Sequence, residues 1–189
     1  MSETSVENSA WLPARLAGSF YVVTIAASVV AFRVPSSSAI ALDVAGAAYV
    51  GVTVLFYYLF KPVSRRSSLL AAVLSFAGIA SGPVADYFSI PHGFHISMIF
   101  FGLYCLLIGY LTSQSRYLPR ILGALLAIGG VGYLINSLAH FLSLGFARDL
   151  YPYILLPGFG AETLLCLWLL VKGVDSSKWQ ERVRRVVPT

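Results

Sequence analysis

The few ionisable residues of this chain are sorted along it rather than scattered. Nearly every Lys and Arg stands at one end of a long apolar segment, whereas Asp86, His95, His140 and Glu162 collect toward the other ends or inside such segments. A soluble domain spreads charge over its whole surface. In a bilayer ionisable groups are expensive, so their placement carries information about topology and use. Composition agrees: 58% of the 189 residues are hydrophobic and 11% charged, with a mean hydropathy of +0.79, against roughly 25% charged in an ordinary soluble domain. At roughly 20 residues per crossing there is room for six or seven spans joined by short loops.

Six segments read as membrane helices, at about 16–32, 38–60, 67–88, 94–112, 119–144 and 152–171. With the N-terminus inside, Arg15, Lys61, Arg65, Arg66, Arg116, Arg120, Lys172, Lys178, Arg182, Arg184 and Arg185 all fall inside, and only Arg33 and Arg148 outside. Eleven of 13 basic residues on one side predicts that both termini are cytoplasmic. The expected fold is an all-α, six-transmembrane-helix bundle: a cytoplasmic tail over 1–15, the bundle over 16–173 and a basic tail over 174–189. Trp11, Tyr57, Tyr58, Tyr117 and Trp179 on the inner side, and Tyr87, Phe88, Tyr151 and Tyr153 on the outer, read as interfacial anchors. The acidic, polar tail before Arg15 argues against a cleaved signal peptide. The net charge of +5 is explained by topology, so no nucleic-acid partner is expected. The basic tail itself reads either as an amphipathic helix, with Trp179, Val183 and Val186 on its apolar face, or as a disordered segment.

Two spans repeat a pattern of small residues followed by a polar one. Ser75, Gly78, Gly82 and Asp86 lie along one face of the third, and Gly129, Gly132, Asn136 and His140 along one face of the fifth. Such stripes permit close helix packing and bring the polar ends together in the outer half. Pro83 is expected to kink the third span.

Glu162 is the leading candidate for chemistry. It lies about 15 Å into the last span if that helix begins near Pro152, and about 8 Å if it begins at Pro157. A carboxylate at such depth costs a few kcal/mol unless paired. It therefore serves either function or a helix-locking hydrogen bond. His140 is expected to meet it at comparable depth, forming a proton-exchanging pair, with Asp86 as an orienting or charge-stabilising group; these three are the catalytic set if the protein is an enzyme. His95, Tyr104, Tyr133, Asn136 and Ser137 complete a ligand-binding face. Asp43 reads as an interfacial carboxylate. His95, His140, Asp86 and Glu162 are zinc-type ligands, but without an HExxH pair no metal is expected, and no other cofactor is implied. Cys105 and Cys166 read as inert packing residues.

Ala14-Arg15-Leu16-Ala17-Gly18, Lys61-Pro62-Val63, the run from Phe100 to Tyr110, Leu118-Pro119-Arg120-Ile121-Leu122-Gly123, Gly132-Tyr133-Leu134, Gly160-Ala161-Glu162 and the run from Leu167 to Gly173 resemble the bacterial integral-membrane family known as domain of unknown function 4386 (DUF4386). The resemblance covers nearly the whole chain. It implies a multi-pass protein of the bacterial cytoplasmic membrane and supplies no reaction. Tyr104 stands where many members have His, and Asn136 where many have an acidic residue, which weakens any role that depends on those groups.

The leading functional reading is a protein that binds a small amphipathic or lipid-like molecule in an outer-half polar pocket. An intramembrane enzyme doing acid/base chemistry on a lipid or isoprenoid is the alternative. A small permease or proton-coupled carrier is third, disfavoured because no internal repeat is visible. Membrane lipids are the expected partners, and a homo-oligomer is compatible with all three readings.

Overall fold

The computed structural model describes residues 3–143, 145 and 147–186. Six helices are long and apolar enough to cross a membrane: α1 (Glu3–Arg33), α2 (Ser38–Phe60), α3 (Arg65–Tyr87), α4 (Gly93–Ser115), α5 (Arg120–Phe141) and α7 (Leu156–Val171). A short α6 (Ala147–Leu150) and a 3-10 turn (Tyr153–Leu155) lead into α7, and α8 (Ser176–Val186) follows it. Helices are what the sequence demands, because each satisfies its backbone groups internally where lipid offers no partner. The protein is a multi-pass membrane protein. Leu42, Val54, Leu69, Val73, Ile121, Leu138, Leu164 and Leu167 are exposed on its flanks, an apolar belt suited to hydrocarbon and not to water.

Each spanning helix packs on its neighbours in sequence, and α7 closes against α1, so the six form a ring. With an even number of up-and-down helices every contact in the ring is antiparallel and both termini emerge at one end, hereafter the terminal end. The α4/α5 contact runs on glycine: a Cβ on Gly109 would sit 2.6 Å from the Gly123 carbonyl oxygen, and one on Gly130 2.6 Å from that of Gly102. Only hydrogen fits there. Of the two anticipated stripes, the one on α5 packs α7, where a Cβ on Gly132 would meet the Ile154 carbonyl at 2.7 Å. On α3, Gly78 lies under the Phe101 ring, but Gly82 faces open space.

Of the segment expected as a separate tail before residue 16, the described part from Glu3 is instead continuous with the first span. Ala10, Ala14 and Ala17 are buried, one small residue per turn, and Arg15 stacks over the Trp11 ring at 4.1 Å. Pro13 is accommodated within this helix.

The basic C-terminal segment is a helix up to Val186, whose side chain lies outside the described residues together with 187–189. Asp175 caps it: its Oδ1 accepts from the Lys178 N–H at 3.2 Å and its Oδ2 pairs with the Lys178 ammonium at 2.7 Å. Lys178, with help from the Ser177 hydroxyl, holds the Asp175 carboxyl down at about 2. Two aromatic residues read as interfacial anchors are instead buried caps. Tyr117 Oη donates to the Leu59 carbonyl at 2.8 Å and Trp179 Nε1 donates to the same oxygen at 3.0 Å, while Arg182 reaches the Gln114 carbonyl at 2.7 Å. Carbonyls left over at the C-termini of α2 and α4 thus find donors from outside their own helices. Burial of the Tyr117 phenol pushes its pKa further up.

Candidate functional site

Mid-span positions are normally the most apolar of a membrane helix. Here each of the six contributes a polar group at that level: Tyr21 from α1, Tyr49 and Thr53 from α2, Ser75 from α3, Tyr104 and Cys105 from α4, Tyr133 from α5 and Glu162 from α7. Glu162 is the midpoint of the 19-residue span Tyr153–Val171. The ring closes these groups into one equatorial layer. Tyr133 Oη donates to Glu162 Oε1 at 3.1 Å, and the Cys105 thiol approaches the same oxygen at 3.7 Å. Across the ring the Tyr21 and Tyr49 hydroxyls are 3.3 Å apart, and Thr53 Oγ1 and Ser75 Oγ 2.6 Å apart. Aromatic edges pack the layer, with Tyr49 T-shaped against Tyr21, Phe101 and Tyr104.

The Glu162 contact follows from side-chain direction. In antiparallel helices both side chains lean toward their own N-termini, so Tyr133 on α5 and Glu162 on α7 reach toward each other. Gly158 permits it, since a Cβ there would fall 2.5 Å from the Tyr133 ring.

Three further polar atoms are buried with no aligned hydrogen-bond partner: Tyr104 Oη at this level, and Asn136 Nδ2 and Ser137 Oγ farther along α5. All can donate. In a dry interior such atoms cost about 1–3 kcal/mol each when unpaired, and each calls for an explanation.

His140 does not join Glu162. The sixth span enters below the end of α5: Ile154 lies against Gly132, and Gly158 against Gly129. That register sets Glu162 beside the turn preceding Gly129, roughly 20 Å of helix rise from His140. The expected common depth fails because the turn Tyr153–Leu155 already lies at the level of Gly132 before α7 begins. His140 instead stacks on His95, with ring centroids 3.6 Å apart and planes 9° apart, and its Nε2 lies 2.9 Å from His92 Nδ1. This imidazole cluster occupies the end opposite the termini. Its parallel stack keeps ring nitrogens from converging, and among the described residues no group of three His, Cys, Asp or Glu is arranged to hold a metal ion. Asp86 is exposed at the end of α3, and Asp43 is exposed on α2.

Of the anticipated residues, then, Glu162 and Tyr133 are in hydrogen-bond contact, Tyr104 faces the same interior, Asn136 and Ser137 are buried a turn farther along α5, and His95, His140 and Asp86 belong to the far end. Sequence reasoning missed Tyr21, Tyr49 and the orientation of Cys105. The available signal was position: tyrosines of an aromatic belt stand at span ends, and these stand at mid-span.

The sequence profile of a family described as domain of unknown function (DUF4386) matches residues 84–173. An uncharacterized protein of Archaeoglobus fulgidus is 34% identical over 132 residues, which cover 66% of this chain and 76% of that protein. No solved structure matches the chain. The profile includes Cys105, Tyr133 and Glu162 and stops short of Tyr21 and Tyr49.

Proposed function

The chain belongs to the DUF4386 family, and we propose that it binds a small amphipathic or lipid-like molecule whose polar head occupies the equatorial layer. One observation carries this reading: a carboxyl group, four tyrosine hydroxyls and a thiol gather at mid-membrane, with Asn136 Nδ2 and Ser137 Oγ unpartnered farther along α5. An arrangement needed only to lock helices would satisfy its own donors, as Thr53 and Ser75 do. The unpaired donors suit a head group rich in acceptors, such as an ester, ketone or ether. Glu162 suits a hydroxyl on the same molecule. The layer lies at mid-span rather than in the outer half, a depth that suits an amphipathic ligand drawn from the bilayer.

The acid/base reading of Glu162 would rest on Tyr133 or Cys105, because His140 and Asp86 are remote. The bias of basic residues supports a cytoplasmic terminal end, in keeping with a protein of the cytoplasmic membrane. The test is mass spectrometry of lipids extracted from protein purified in mild detergent. A defined amphipath is expected in wild-type protein and depleted in Glu162→Gln and Tyr104→Phe. Bulk lipids in unchanged proportion in all three would refute the reading.

A further inference from the structure

A second site is built at the terminal end, where the loop after α4 meets the α7–α8 connection. A cleft of about 410 Å³ opens there, lined by Arg116, Lys172 and Lys178 from three separate segments and floored by Tyr117, Trp168 and Val174. Asp175 is the one acid among the lining residues, and it is engaged by Lys178. Arg116 and Lys172 form no ion pair among the described residues. The lining therefore carries two uncompensated positive charges over an apolar, aromatic floor. Arg116, the residue that ends α4, stands at φ 64, a left-handed conformation that favours glycine over a residue with a side chain, and the chain after α7 does place a glycine, Gly173, at φ 69. Charge is kept at Arg116 where glycine would relax the backbone.

The depth of the cleft names its ligand. It sits where the α4 and α7 spans end, at Ser115 and Val171, the level of phospholipid headgroups. Leu164, Leu167 and Val171 on α7 and Ile121 on α5 are exposed just beneath, a path for acyl chains. We propose that this cleft binds the phosphate-bearing headgroup of an anionic phospholipid of the cytoplasmic leaflet, Arg116 and Lys172 pairing with the phosphate and Trp168 packing on the glycerol region. Basic pockets between spanning helices at this level take such headgroups.

The experiment is native mass spectrometry of the full-length protein with phosphatidylglycerol, phosphatidylcholine or inorganic phosphate. Phosphatidylglycerol should bind, phosphatidylcholine should not, and inorganic phosphate should not displace the lipid at equal concentration. Lys172→Gln and Arg116→Gly should each weaken phosphatidylglycerol binding about fivefold. Arg116→Gly should unfold in phosphatidylcholine micelles no earlier than the parent, because it relieves the left-handed strain, and this separates lost binding from lost fold. Lys61→Gln, outside the cleft, should bind as the parent does. Equal binding of the two lipids, displacement by inorganic phosphate, or an equal loss in Lys61→Gln would overturn the proposal.

Discussion

The Leu59 carbonyl offers a sharp energetic test of how the terminal end is held. Its own helix supplies no donor: Val63 N bonds Phe60 O instead, and Pro62 has no N–H to offer. Tyr117 and Trp179 fill both lone pairs, at 2.8 and 3.0 Å, and Leu59 is 1% exposed. Tyr117→Phe leaves the carbonyl one donor and should cost about 1 kcal/mol. Trp179→Phe should cost about 1 kcal/mol for its bond plus the packing lost with the smaller ring. The double variant strands a buried acceptor, adding about 1–3 kcal/mol of desolvation that neither single change incurs. A double-mutant cycle removes the packing term, so a coupling of about 1–3 kcal/mol should remain. Reversible unfolding in mixed micelles, followed by circular dichroism, measures it. Additivity within about 0.5 kcal/mol would show that the two residues do not share this oxygen.

Gly123→Ala should destabilise by about 2 kcal/mol or more, because its Cβ would lie 2.5 Å from the Gly109 carbonyl; Gly82→Ala, with open space beside it, should be neutral or stabilise by up to about 1 kcal/mol, as thermal unfolding will register. The Asp175 carboxyl sits at about 2 in the fold and near 4 when unfolded, so its support for α8 is complete above about pH 4 and is lost as pH falls through 2. Hydrogen exchange of α8 amides should accelerate across that window and not between pH 5 and 7. His140→Ala removes both the stack on His95 and the bond to His92; amide exchange over the 88–95 connection should rise more than in Asp86→Ala.

The six spans are legible because length and hydropathy suffice to identify a crossing; the expectation of sidedness rests on the eleven basic residues alone. Ring closure is not legible, since hydropathy carries no information about which helix touches which. The glycines of α5, Gly129, Gly130 and Gly132, are legible as packing positions, but Gly102, Gly109 and Gly123, which with Gly130 seal α4 to α5, carry no such signal in the sequence. Glu162 stood out as a buried acid. Its partner did not, because pairing depends on register: equal loop-to-residue counts matched it with His140, while the early entry of α7 matches it with Tyr133. Tyr117 and Trp179 were aromatic at a span boundary and so looked like anchors, and only the fold reveals the carbonyl they share.

The measurement closest to the central claim is photocrosslinking in membranes with a bifunctional fatty-acyl probe whose reactive group lies beside its polar head, mapped by peptide sequencing. Labelling should concentrate on mid-span residues of α4, α5 and α7 around Tyr104, Tyr133 and Glu162 and fall sharply in Glu162→Gln. Labelling confined to exposed residues such as Ile121, Leu138 and Leu164, and unaltered by that substitution, would contradict a ligand in the equatorial layer.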